Sequence, residues 1–166
     1  RHPDPAAIRN AGCGRVGGGM DWEDITEIDG ACHCGTVRFH VKLSGGLRTA
    51  RRCNCSFCRM RGAVAVSANI GDIRFLEGEE ALTLYQFNTN TAKHYFCSRC
   101  GIYTHHQRRS DPNEFGVNAA CLEGISPFDF AEVPVMDGVE HPSVQMPDPS
   151  ISLLWMAIIE SPWCSY

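Results

Sequence analysis

Residues 30–43 read GACHCGTVRFHVKL and carry two patterns in succession. From Thr36 onward, Val37, Phe39, Val41 and Leu43 alternate with Thr36, Arg38, His40 and Lys42. A period of two marks a strand with one face buried and one face wet. Just before it, Cys32 and Cys34 stand at i and i+2, with Gly35 behind them. In an extended piece those two side chains point to one side and His33 to the other, so the cysteines are the pair and His33 is not a ligand.

Outward from this strand the same period recurs. Residues 63–70, 73–76, 82–87, 93–96, 102–106 and 114–121 read as further short strands. Gly45-Gly46, Gly71-Asp72, Gly78 and Asn88 mark turns between them. No stretch sustains a helical period over three turns, so the expected class is a mainly β, antiparallel domain. Residues 1–19, rich in Gly, Pro and Arg, are expected to be a disordered leader or an appended extension, with Met20 as the natural start. The domain is expected over 20–142, followed by a C-terminal tail over 143–166 whose ISLLWMAIIESPWCSY ending has no assigned element. The prolines after Gly124 suit a wrapping segment better than a second domain.

The chain has 166 residues, 43% hydrophobic and 20% charged, as expected of one globular domain able to bury a single core. A net charge of -4 argues against a molecule built to hold nucleic acid or an anionic membrane. The apolar run ISLLWMAII falls far short of the ~20 residues of a membrane helix. The N-terminal stretch reads as lacking a secretory signal. The close cysteine spacings suit metal better than a disulfide framework, so a thiol-reducing cytoplasm is the expected compartment.

Seven of the 10 cysteines form three clusters: Cys32 and Cys34; Cys53, Cys55 and Cys58; Cys97 and Cys100. Cys97-x-x-Cys100-Gly101 has the shape of a zinc knuckle, with a glycine for the turn after the second ligand. A knuckle needs a second pair, and Cys32 with Cys34 can supply it; the plain alternative is a pair that is buried or redox-active. The trio presents three soft ligands from one turn. Its fourth position is either open or closed by a His or another Cys, and open positions distinguish catalytic from structural zinc. Cys121 is expected in a strand as a buried thiol.

Charge sharpens the reading of the trio. Zinc with three thiolates carries a net negative charge, which makes it a weak acid for bound water and suits it to delivering another thiolate. Such a guest needs cations nearby. Arg48, Arg51 and Arg52 precede the trio, and Arg59 and Arg61 follow it. Arginine captures carboxylates in bidentate fashion, so a small thiol carrying carboxylates, such as glutathione, fits.

Segments 30–37 (GACHCGTV), 53–59 (CNCSFCR) and 96–101 (FCSRCG) resemble, in order and spacing, the glutathione-dependent formaldehyde-activating enzyme family, which includes centromere protein V-like proteins. The likeness runs from about residue 28 to about residue 142. It implies an antiparallel β-tent stapled by a four-cysteine zinc site, with two zinc ions per chain. By family pattern Cys32, Cys34, Cys97 and Cys100 hold the structural ion, and Cys53, Cys55 and Cys58 the catalytic one. The implied activity is that of a carbon–sulfur lyase or synthase, joining glutathione or a similar small thiol to formaldehyde to give S-hydroxymethylglutathione.

The same likeness makes a small aldehyde the second partner, and a homodimer is compatible with it. Asn54 departs from the His that many members carry between the first two trio cysteines, and residues 102–106 (IYTHH) depart from a run of small residues. Arg59 first, then Arg52, are expected to bind the substrate carboxylates, with His94, His105 or Tyr103 as candidate proton donors. Two other classes compete: a non-catalytic zinc-binding module, and a thiol redox or metal-buffering protein.

Overall fold

The computed structural model describes residues 25–140; the expected leader, the Met20 start, the outer domain boundaries and the tail lie outside these residues. Among the described residues there are ten strands: β1 (Glu27–Ala31), β2 (Arg38–Lys42), β3 (Arg52–Cys53), β4 (Ala65–Asn69), β5 (Ile73–Glu77), β6 (Leu82–Tyr85), β7 (Lys93–Cys97), β8 (Tyr103–Gln107), β9 (Glu114–Asn118) and β10 (Val135–Met136). One short helix, α1 (Ser56–Arg61), sits between β3 and β4. β1, β2 and β5 form one antiparallel sheet, and β4-β9-β8-β7-β6 form a second of five strands. The expected mainly antiparallel β domain is what forms. No helix of the described residues is long and apolar enough to cross a membrane.

The alternation on β2 is followed by burial. Val37, Phe39, Val41 and Leu43 are all buried, while Arg38 and Lys42 are exposed. They meet Val64, Val66 and Ala68 around β4 and Val117 of β9, so the core is shared between the two sheets. Burying such a side chain is worth about 1.5–3 kcal/mol, which makes this contact the main apolar force joining the sheets.

Three sequence expectations need correction. Cys32 and Cys34 do not lie in an extended piece: Gly35 N–H donates to the Cys32 carbonyl at 2.9 Å, closing a turn. The pair converges through that turn rather than through strand alternation, and His33 is exposed, as expected. Cys121 is buried, but it ends a 3-10 turn (Ala119–Cys121) after β9 because Asn118 caps that turn through the Ala120 N–H. The trio, finally, spans the end of β3 and the start of α1 rather than one turn.

His105 is 4% exposed, stacked on Tyr95 with ring centroids 4.6 Å apart and edge-on to Phe115. Burial lowers its pKa from 6.5 to about 4. The unfolded imidazole therefore takes up a proton that the folded one refuses, so stability is whole above the unfolded value and is lost as pH falls toward the folded one. His105→Phe is expected to remove on the order of 1–3 kcal/mol of this acid sensitivity, read as a flatter urea midpoint against pH. Parallel profiles for the two proteins would contradict it.

Candidate metal centre and cleft

The four-cysteine cluster joins the turn after β1 to the β7–β8 hairpin. Sγ of Cys32, Cys34, Cys97 and Cys100 all lie within 4.8 Å of one another. Cys32 and Cys34 sulfurs are 3.5 Å apart, and Cys34 and Cys97 sulfurs 3.8 Å. Ligands about 2.3 Å from a tetrahedral zinc stand ~3.8 Å from each other, so the spacing fits that ion. Val37 N–H donates to Cys32 Sγ at 3.3 Å, and Cys34 Sγ lies 3.3 Å from the Thr36 hydroxyl. Burial pushes the Cys32 thiol up to about 12, while the Thr36 hydroxyl draws Cys34 down to about 6. Binding a cation resolves this asymmetry by letting all four ionise.

The trio is built by a strand-to-helix transition. β3 carries Cys53, and Cys55 is the N-cap of α1, its Sγ accepting from Cys58 N–H at 3.4 Å. Gly62, at φ 62°, ends the helix after six residues in the left-handed region where glycine is favoured. The three sulfurs lie within 4.8 Å. Cys55 is the one thiol held low, by hydrogen bonds from Cys53 and then Cys58; Cys58 and Cys53 are held high because they keep those protons. Three adjacent thiolates repel, so full ionisation calls for a divalent cation, and soft sulfur donors suit zinc.

The trio opens into a cleft of about 690 Å³. Arg52, Arg59, Arg61, Arg108 and Arg109 line it together with Phe87, His94, Tyr103 and His106; the four-cysteine cluster does not. Both arginines expected to bind substrate are thus at the cleft: Arg59 is exposed on its rim, and Arg52 donates to the Gly62 carbonyl at 2.5 Å. Arg108 is buried and committed to Glu114 and to the Ser67 hydroxyl.

Of the candidate proton donors, His94 and Tyr103 face the cleft and His105 does not; His106 takes its place. The cause is a bulge. Tyr95 pairs with His105 but Phe96 pairs with Tyr103, so Thr104 is extra and the alternation of β8 changes phase. Tyr103 and His106 then share a face and are hydrogen-bonded, and His106 stacks on His94 at 5.3 Å. Burial lowers His94 to about 4 and His106 to about 3, so both are neutral at neutral pH, and it raises Tyr103, which stays a phenol. His94 Nδ1 is buried with no hydrogen-bond partner among the described residues.

A strap covers the trio. β10 pairs in parallel with β3, placing Met136 beside Cys53. Asn54 Oδ1 accepts from Gly138 N–H at 2.6 Å and Val139 N–H at 3.3 Å, and its Nδ2 donates to Asp137 at 3.2 Å. Arg109 donates to the Gly138 carbonyl at 3.2 Å. A β-carbon at Gly138 would stand 2.5 Å from Cys53 Sγ and 2.8 Å from Cys55 Cβ. Gly138→Ala is therefore expected to push the strap off and, in protein loaded with zinc, to speed release of zinc from the trio to a chelator about tenfold, a 1–2 kcal/mol effect typical of overpacking. Unchanged release would contradict the close fit.

Two antiparallel sheets, a four-thiol cluster outside the cleft and a three-thiol cluster opening into it define a thiol-rich β domain with two cysteine groups able to hold a metal. Residues 27–133 match the family described as glutathione-dependent formaldehyde-activating enzyme, and the chain belongs to that family. A Halomonas elongata protein named provisionally as such an enzyme is 36% identical over 81 residues, 44% of this chain and 51% of its own length, so the match spans about half of that relative. A crystal structure of a Rhodobacter sphaeroides protein is 60% identical, with a TM-score of 0.64, covering 66% of this chain and 100% of that one.

Proposed function

We propose that the cleft joins a small thiol to a small aldehyde, with glutathione and formaldehyde giving S-hydroxymethylglutathione, and cleaves the same C–S bond in reverse. The observation that carries this reading is the division of the sulfurs: three thiols open into the cleft while the four-thiol set lies outside it. Cys53, Cys55 and Cys58 would hold a catalytic zinc, and Cys32, Cys34, Cys97 and Cys100 a structural one. Zinc at the trio would keep an incoming thiol as its thiolate at neutral pH.

The remaining work falls to the chain. Arg59 on the rim and Arg52 in the wall hold the carboxylates of the thiol. The sulfur pair forms the bond to the carbonyl carbon, and the C=O π pair moves to oxygen. That oxygen takes a hydrogen bond from the neutral imidazole of His94 in the cleft wall. Its proton arrives from water, and the thiol's own proton leaves to solvent when the sulfur binds. Because thiols and formaldehyde react readily, most of the acceleration comes from bringing them together in one orientation. The eight described cysteines are free thiols, which suits a reducing cytoplasm.

Calorimetric titration tests the reading. Zinc-loaded protein is expected to bind glutathione at least about tenfold more tightly than S-methylglutathione, whose sulfur cannot ionise, a difference of ~1.4 kcal/mol. Equal affinity for the two, or for neither, would turn the assignment toward a non-catalytic zinc module.

A further inference from the structure

The five arginines that flank the trio in sequence meet different fates on folding. Arg51 reaches Glu114 at 3.7 Å, Arg52 lies in the cleft wall with Nη1 donating to the Gly62 carbonyl, Arg59 is exposed on the rim, and Arg48 lies outside the cleft. Arg61 turns inward. Its guanidinium carbon stands 3.7 Å from the centre of the Tyr103 ring and 4.4 Å from that of Phe57. Nη2 donates to Cys58 Sγ at 3.1 Å, while Nε and Nη1 are buried without a hydrogen-bond partner.

For packing alone this is a poor arrangement. A desolvated guanidinium short of two acceptors is costly, and an apolar chain of the same volume would fill the space between the rings at least as well. What the sandwich does provide is a permanent positive charge fixed beside one trio sulfur, where little water screens it. Three thiolates on a divalent cation leave one net negative charge, which would repel a fourth thiolate. Arg61 cancels it.

We propose that Arg61 is the positioning residue that lets the trio accept a fourth, exogenous thiolate, acting through Cys58 rather than by touching the guest. This deepens the functional reading above and rests on it, in that the trio is taken as an open thiol site. Arg59 and Arg52 would select the carboxylate end of the guest; Arg61 would set the charge that its sulfur meets. The two roles separate with 2-mercaptoethanol, a thiol that has no carboxylate.

The test uses the full chain loaded with cobalt(II), whose thiolate charge-transfer absorption reports sulfur ligation without turnover. At fixed pH, 2-mercaptoethanol is titrated into wild type, Arg61→Gln, Arg61→Met and Arg61→Lys. Both neutral variants are expected to bind it about tenfold or more weakly while cobalt stays at the trio, and Arg61→Lys is expected to recover most of the loss. Should Arg61→Gln fail to fold, Arg61→Met carries the test, since it replaces the charge with an apolar chain that suits the ring sandwich. Wild-type affinity in Arg61→Met would overturn the role of Arg61 alone. A wild-type protein that takes no thiol would remove this role and the functional reading together.

Discussion

Cys97→Ser is expected to leave a chain that does not fold cooperatively. Cys97 is fully buried at the end of β7, and Cys32 opposite it is 1% exposed; both belong to the hydrophobic core as well as to the four-sulfur cluster. The cluster ties the turn after β1 to a hairpin 63 residues away, and so ties the three-stranded sheet to the five-stranded one. Structural zinc contributes about 10–16 kcal/mol of apparent binding free energy, which equals or exceeds the 5–15 kcal/mol by which a whole domain is stable. Losing one of four thiolates also leaves a buried hydroxyl facing the buried Cys32 thiol, with Cys100 half-buried and Cys34 exposed beside them. Circular dichroism with urea unfolding checks this: the expected loss is about 5 kcal/mol or more, with fewer than two zinc ions bound per chain. A cooperative transition within ~1 kcal/mol of wild type would show that the cluster is not what joins the sheets.

Cys55→Ser is expected to do the opposite, keeping the fold and losing the chemistry. The trio cysteines are half-buried and stand outside the core cluster. Cys55 is also the N-cap of α1, a position at which serine is among the best residues, so the local transition from β3 should persist. Two thiolates hold zinc far less well than three, and a hydroxyl keeps its proton at neutral pH. The urea midpoint should move by less than about 1 kcal/mol, one zinc should remain, and acceleration of thiol–aldehyde addition should fall at least about a hundredfold. If the variant unfolded as Cys97→Ser should, the division into a stapling site and a working site would be wrong.

The strands and the cysteine clusters were legible in the sequence because each rests on a local pattern. Alternation over 36–43 named every buried residue of β2, and the three cysteine groups were visible as spacing. What stayed hidden depends on contacts between distant residues or on single insertions. β3 and β10 are two residues each and pair across the chain, too short to carry any period. α1 has six residues, less than two turns, and so no helical period to detect.

The bulge at Thr104 exchanged His105 for His106 at the cleft, which simple alternation along β8 cannot foresee. Asn54 was visible only as a departure from a familiar pattern; its use became clear once Gly138 was seen to lie against it. The arginines were likewise visible as a group, and only folding separated the exposed Arg59 from the sandwiched Arg61.

The most direct test is the rate at which formaldehyde and glutathione interconvert with S-hydroxymethylglutathione, measured by exchange NMR with zinc-loaded protein and with Cys55→Ser. The expected result is acceleration over the protein-free rate by wild type that is lost in the variant. A wild-type rate equal to the protein-free control would contradict catalysis at the trio.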